Sequence, residues 1–227
     1  MNKFFIFLIF IITTIFSKDI ESMNFSVYFN TVKAGDASLI LSQDAKEENY
    51  IINFELKSKK YLDAIYKLRE RTSILINKND FSIYEIEKNT RQGRHKKSYS
   101  AQFDYDKKIA YLNKKILTFE DPIYDPINII YYVRNNLDSL KNNSFSFNVI
   151  SKNKFKTVVM HIIKGETITF NNREYDCIVI GPKNSDRLKN EDDIKIWITD
   201  DELNMPLMIE KKAKYGIIKM KLENYEK

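Results

Sequence analysis

From residue 24 onward the chain alternates apolar and polar residues with a period of two, and this alternation constrains its fold more than any other feature. "NFSVYFNTV" sets Phe25, Val27 and Phe29 against Asn24, Ser26 and Asn30. "ASLILSQ", "YIINFELKS", "RTSILINK", "FSIYEIEKN", "SYSAQFDYD" and "KIAYLNK" follow. After one interruption come "SFSFNVISK", "KTVVMHIIK", "ETITFN", "EYDCIVIG" and three more strands between 196 and 222. Successive side chains of a strand point to opposite faces, so this period marks strands with one buried face. The links between them, such as "DAKEEN", "NKND" and "KYG", are short and polar. Short links imply hairpins and therefore antiparallel neighbours.

Two stretches break the alternation. "KKYLDAIYKL" (59–68) has Leu62, Ile65 and Tyr66 at helical spacing and reads as a short helix or turn. "YDPINIIYYVRNNLDSLKNN" (124–143) is the principal helix, about 126–140. Asp125 suits its N-cap and Pro126 its first position, with Ile130, Val133, Leu137 and Leu140 along one stripe. Asn142 and Asn143 can end it. The expectation is a mainly β protein: a large curved antiparallel sheet forming an open or half-closed β-barrel, with this helix packed on it. Only 5 Gly and 4 Pro occur, without a linker or fixed repeat, so residues 18–227 read as a single domain.

The N-terminus has its own pattern. Lys3 precedes an apolar run from Phe4 to Phe16, and Ser17-Lys18-Asp19 follow at once. That describes a secretory signal peptide over residues 1–17, with cleavage after Ser17 or as late as Ser22. The run falls short of the about 20 apolar residues of a membrane span. The expected location is periplasmic; the alternative is an anchored form that keeps the segment uncut. The whole chain carries +6, and removing residues 1–17 takes away only one basic residue. A modest basic excess favours anionic headgroups or envelope polymers, and nucleic acid is not expected outside the cytoplasm.

Chemistry-bearing residues are few. The single Cys177 lies in an alternating strand, where a buried inert thiol is expected. His95 and His161 have neither helical-spacing partners nor cysteine pairs, so a transition-metal site has no support in the sequence, and no cofactor is expected. Asp200, Asp201 and Glu202 form one acidic run, with Glu191, Asp192 and Asp193 upstream. A calcium loop spaces its acids at alternate positions around a glycine, whereas these are adjacent, so a turn is expected rather than a cation or catalytic site. "KNTRQGRHKKSYS" (88–100) has five Lys and Arg residues and no acid. It is either a solvated hairpin tip or, through Arg91, Arg94, Lys96 and Lys97, a contact for an anionic membrane surface. Arg134 follows two tyrosines on the helix, and its guanidinium needs an acid or carbonyl partner if buried. It reads as a structural latch or as an anion anchor in a ligand groove. Strand parity puts Trp197 and Met208 opposite Ile196 and Ile198. Trp197 is then a packing residue or a groove wall.

At two of these places the chain resembles a known family. Asp125, Pro126, Ile127, Asn128, Tyr131, Tyr132 and Arg134 follow an Asp–Pro helix start that runs into Tyr-Tyr-x-Arg. Ile196, Trp197, Ile198, Asp200, Asp201, Pro206, Ile209 and Gly216 follow an aliphatic–Trp–aliphatic strand, acidic turn, proline and Gly-containing last strand. Both are similar to the exported bacterial proteins of the domain-of-unknown-function family DUF3108. Weaker elements fit at Gly165-Glu166 or Arg173-Glu174-Tyr175, and at Phe29 through Gly35 and Ala37. Asn128 departs from the family's small hydroxyl residue. The resemblance implies a periplasmic antiparallel β protein and brings no activity or catalytic residue with it.

The first functional expectation is a non-enzymatic carrier of a lipid or other apolar or amphipathic molecule. Its groove candidates are Tyr131, Tyr132, Arg134, Trp197 and Met208. The alternative is an envelope protein-interaction or assembly factor that uses a strand edge or the basic loop. A hydrolase of envelope polymers ranks third, and a monomer is expected.

Overall fold

The structure, a computed structural model, describes residues 19–113, 115–141, 144–151, 154–182, 193–213 and 216–227. The expected signal segment lies outside the described residues, as do Asn142, Asn143, Glu191 and Asp192.

Seven strands and one helix precede the seam of the fold in sequence: β1 (Asp19–Phe29), β2 (Val32–Gln43), β3 (Asn49–Ser58), α1 (Lys60–Tyr66), β4 (Leu68–Asn77), β5 (Ile83–Gln92), β6 (His95–Asp104) and β7 (Ile109–Leu112). The seam lies between β8 (Lys115–Thr118) and β9 (Ile123–Tyr124). Helices α2 (Pro126–Asn135) and α3 (Leu137–Leu140) come next. The remaining strands are β10 (Phe145–Ser151), β11 (Lys154–Phe170), β12 (Arg173–Pro182), β13 (Ile194–Thr199), β14 (Pro206–Ala213) and β15 (Gly216–Glu226). All belong to one sheet in the order β8-β7-β6-β5-β4-β3-β2-β1-β15-β14-β13-β12-β11-β10-β9. Every pairing is antiparallel except the short parallel contact of β9 with β10. The sheet is open, because β8 and β9 are its two edges and do not pair with each other.

The first and last strands meet in the middle of this sheet, with Ser22 opposite Glu226 and Phe29 opposite Ile218. Alternating connections then define two ends. The start of β1, the end of β15 and the β2–β3, β4–β5 and β13–β14 turns lie at one end; the β1–β2, β3–β4, β5–β6 and β14–β15 connections lie at the other. Inward positions on β1, Met23, Phe25 and Val27, are 0–4% exposed, and Ile196, Ile198 and Ile209 are equally buried. These rows face one continuous core, as the alternation requires.

Gly35 shows why one early glycine is needed. A Cβ there would overlap the Lys57 carbonyl oxygen, so β2 and β3 can approach only without a side chain at that position.

The structure corrects two details of the sequence reading. The principal helix is not continuous over 126–140, because α2 stops at Asn135 and Asn136 adopts φ −121°, ψ 22°. The Asn135 and Asn136 side-chain amides donate to the carbonyls of Tyr131 and Tyr132 at 2.9 and 2.8 Å, capping the helix from within. The stretches "KTVVMHIIK" and "ETITFN" form one 17-residue strand, β11, with an irregularity between Ile162 and Lys164. That bulge shifts the parity and imitates a strand boundary in the sequence. Helix α2, tied to Glu21 on β1 and to Phe81 in the β4–β5 turn, packs against the inner face and plugs one end of the curved sheet.

Candidate functional site

The plug is built from its N-cap. The Asp125 carboxylate accepts from the Ile127 N–H at 3.0 Å, and the Asp125 N–H donates to Asn128 Oδ1 at 2.6 Å. Asn128 is fully buried and also donates from Nδ2 to the Phe81 carbonyl in the β4–β5 turn. A serine or threonine could cap the helix but would not also reach Phe81, so the asparagine adds a tether to the sheet.

Arg134 fastens the other end of α2. Nη1 and Nη2 donate to the two oxygens of Glu21 on β1 at 2.6 and 2.7 Å, a bidentate pair. Nε donates to the Asn204 carbonyl at 2.7 Å and Nη2 to that of Leu203 at 3.3 Å. The Asn204 amide returns a bond to the Arg134 carbonyl at 3.0 Å. Both side chains of the ion pair are buried, at 7% and 5% exposure. The guanidinium is thus committed to the β13–β14 turn and to β1, and it acts as a latch.

The other groove candidates fall on different sides of the sheet. Tyr131 is 1% exposed, under the helix. Tyr132 stands edge-on to Tyr124, Phe145 and Phe147 at centroid distances of 5.6, 5.4 and 5.1 Å, within an aromatic cluster. Trp197 and Met208 are cross-strand neighbours on the outer face, where the indole N–H donates to Glu166 at 2.9 Å. The sheet therefore separates Trp197 and Met208 from Tyr131, Tyr132 and Arg134, and the five do not line one groove. Tyr131 and Arg134 do border a polar cleft of ≈ 520 Å³ at the plugged end, shared with Lys78, Asn204 and Lys227.

The Tyr131 hydroxyl is buried with no hydrogen-bond partner among the described residues. Burial pushes it well above the ordinary phenol range, so it stays neutral. Leaving a buried hydroxyl unpaired costs about 1–3 kcal/mol. Tyr131→Phe is accordingly expected to leave the urea midpoint unchanged or to raise stability by up to ~1 kcal/mol. A loss larger than that would mean the hydroxyl has a partner.

The acidic run is a turn. Asp201 Oδ1 accepts from the Thr199 hydroxyl at 2.7 Å and from the Leu203 N–H at 3.0 Å, the local bonding that favours Asp in turns. Asp200 pairs with Lys141 at 2.9 Å, and Glu202 is exposed. Among the described residues no three His, Cys, Asp or Glu side chains are grouped as metal ligands. Burial pushes the Cys177 thiol up to about 11, away from thiolate chemistry.

The basic stretch gains most from the strand pairing. Lys57 pairs with Arg69, Arg69 with Arg91, and Arg91 with Lys96, so four cations from four successive strands lie in one register row. Strand parity puts this row on the outer face, opposite the buried Thr72, Ile74 and Ile86. Like charges directly opposite one another destabilise a sheet, on the order of a few tenths of a kcal/mol per contact. Glu55 and Asp63 partly compensate at Lys57 and Arg69. Arg91 donates only to the Gly93 carbonyl, at 3.2 Å, and among the described residues Arg91 and Lys96 have no carboxylate partner. Arg94 sits at the tip beside Gly93, whose φ is 60°, and Lys97 points from the other face of β6 at the same end. A shallow depression of ≈ 440 Å³ runs along these residues. Lys57 and Arg69 could not be assigned from the sequence, because only the register aligns them with Arg91.

A family model described as "Protein of unknown function (DUF3108)" matches residues 24–223. No curated protein matches the chain significantly. Among solved structures, the chain is similar to a β-barrel-like protein of domain of unknown function DUF1849 from Brucella abortus. The TM-score is 0.60 at 9% identity, over 91% of this chain and 96% of that one. At that identity the likeness concerns the fold alone.

Proposed function

The chain belongs to the DUF3108 family, and on that footing we propose that it is an exported, non-enzymatic binding protein of the cell envelope that holds anionic groups on its outer face. The row Lys57–Arg69–Arg91–Lys96 carries this reading, since its repulsion is relieved when phosphate or carboxylate groups lie along it. A carrier holding an apolar molecule inside the sheet finds less support. The inner face carries one continuous buried core with rings such as Tyr124, Tyr132 and Phe147, and the expected groove residues are parted by the sheet. Of the two readings drawn from the sequence, the one that uses the basic loop fits the geometry better. Export through residues 1–17 is part of the proposal. Cleavage after Ser17 keeps Glu21, whereas cleavage after Ser22 would remove the partner of Arg134.

The test is fluorescence anisotropy with a labelled polyphosphate at rising salt. The wild-type protein is expected to bind with an affinity that falls as salt screens the row. Arg91→Glu/Lys96→Glu, at two exposed positions, is expected to weaken binding by about tenfold or more. Salt-independent binding, or equal affinity in the double variant, would remove the proposal.

A further inference from the structure

Three of the exposed large apolar residues sit at the end of the sheet opposite the plug. Phe29 and Val32 flank the β1–β2 turn at 39% and 58% exposure, and Tyr61 on α1 is 63% exposed. They are neighbours: Phe29 pairs with Val32, and the Tyr61 hydroxyl donates to the Lys33 carbonyl at 2.6 Å. That bond fixes the tyrosine with its ring toward solvent. The same rim continues into Lys67, whose carbonyl accepts from the Gly93 N–H at 2.7 Å, and so into the β5–β6 tip and the cation row. The rim therefore bears exposed apolar side chains at the β1–β2 turn and on α1, beside cations that run from α1 to the β5–β6 tip.

Charge is also divided between the two ends. The described connections at the plugged end are acidic at "DAKEE" (44–48), "FEDP" (119–122) and "DDE" (200–202), which outweigh the balanced "KNDFS" (78–82) and the basic "YDKK" (105–108). Those at the rim include "KKYLDAIYK" (59–67) and "GR" (93–94). Such a distribution turns the basic end toward a negative surface and the acidic end away from it.

We propose that this rim docks on the surface of an anionic lipid bilayer, with Val32, Tyr61 and Phe29 entering the headgroup layer and the cation row lying on lipid phosphates. Exposed apolar side chains next to lysines and arginines are the combination that an interface of this kind binds: the first gain from the headgroup–acyl boundary, the second from the surface potential. A soluble polyanion would use the cations but leave the apolar residues in water. The proposal rests on the anion-binding reading and adds the bilayer to it.

The experiment is co-sedimentation with phosphatidylcholine vesicles with and without about 30% phosphatidylglycerol, a content that gives the surface a strong negative potential. It is run beside the polyphosphate anisotropy assay. Wild-type protein is expected to sediment with the anionic vesicles and to remain in solution with the neutral ones. Val32→Ser/Tyr61→Ser is expected to lower partitioning by about fivefold or more while polyphosphate affinity stays within about twofold. The emission of Trp197, the chain's single tryptophan, confirms that each variant is folded. Polyphosphate binding without vesicle binding, or vesicle binding unchanged in the serine variant, overturns the bilayer proposal and leaves the anion reading standing. Binding to neither overturns both.

Discussion

Arg134→Ala is expected to destabilise the protein by about 3–5 kcal/mol, because it leaves the Glu21 carboxylate buried without its counter-charge. Among the described residues Glu21 would retain the Tyr225 hydroxyl, which donates to Oε1 at 2.6 Å, and the more distant charge of Lys227. The carbonyls of Leu203 and Asn204 would lose their donor as well, loosening the β13–β14 turn. The pair as a whole is a different matter. Replacing both members, as in Glu21→Met/Arg134→Met, removes the charge and its partner together and is expected to cost far less than the single variant. Urea unfolding of the wild type, both single variants and the double variant closes the cycle. Additive losses would show that Arg134 and Glu21 are not coupled. The pair also sets a pH dependence. Burial alone would raise the Glu21 carboxyl, but the Arg134 guanidinium and Tyr225 hydroxyl outweigh it and hold the group below its ordinary 4.5. A carboxylate lowered in the folded state contributes its full stabilisation above the unfolded value, and loses it as pH falls through the folded one. Acid destabilisation beginning near pH 4.5 is therefore expected in the wild type and should be weaker in the double variant.

Deleting Gly216–Lys227 is expected to abolish cooperative folding. These residues supply β15, which lies between β1 and β14 near the middle of the strand order. Its loss divides the ladder into one piece from β8 to β1 and another from β14 to β9. Each piece then presents a long unpaired edge, the feature that promotes association between chains. The expected result is a broad, non-sigmoidal thermal transition with dye-binding apolar surface, whereas deletion of Glu226–Lys227 alone should preserve a single sharp transition. A cooperative transition in the longer deletion would show that the two pieces fold independently.

Much of the fold was legible because it is local. Period two identified nearly every long strand, short polar links implied antiparallel order, and Asp125-Pro126 marked the start of the plug. The break at Asn136 was not legible, since asparagine side chains that bond back to helix carbonyls look the same in sequence as solvated ones. β8 and β9, of four and two residues, are too short to show a period. The candidate site was legible in part. Arg134 was read as a buried residue in need of an acid, but its partner lies 113 positions away, and no local pattern points to Glu21. Arg91, Arg94, Lys96 and Lys97 stood out as a cluster, while Lys57 and Arg69 joined them only through the register of three strand pairs. Parity separates Trp197 from Ile196 and Ile198, although all three are buried. What parity could not say is that α2 lies on the other side, because a helix declares its apolar stripe and not the sheet face it will meet.

The open line between β8 and β9 differs from the other junctions of the described strands, for ring contacts stand there in place of a ladder. Phe119, just after β8, stands at centroid distances of 5.8, 5.1 and 6.2 Å from Phe103, Tyr105 and Phe155. Ring contacts of this kind lack the fixed repeat of a backbone ladder, so small displacements cost little and no register has to be broken. Widening or narrowing at this one line would leave the fourteen hydrogen-bonded pairings of the strand order intact. A rigid tube would transmit a push at one rim to the other; a tube slit along its length absorbs the push as a change of girth.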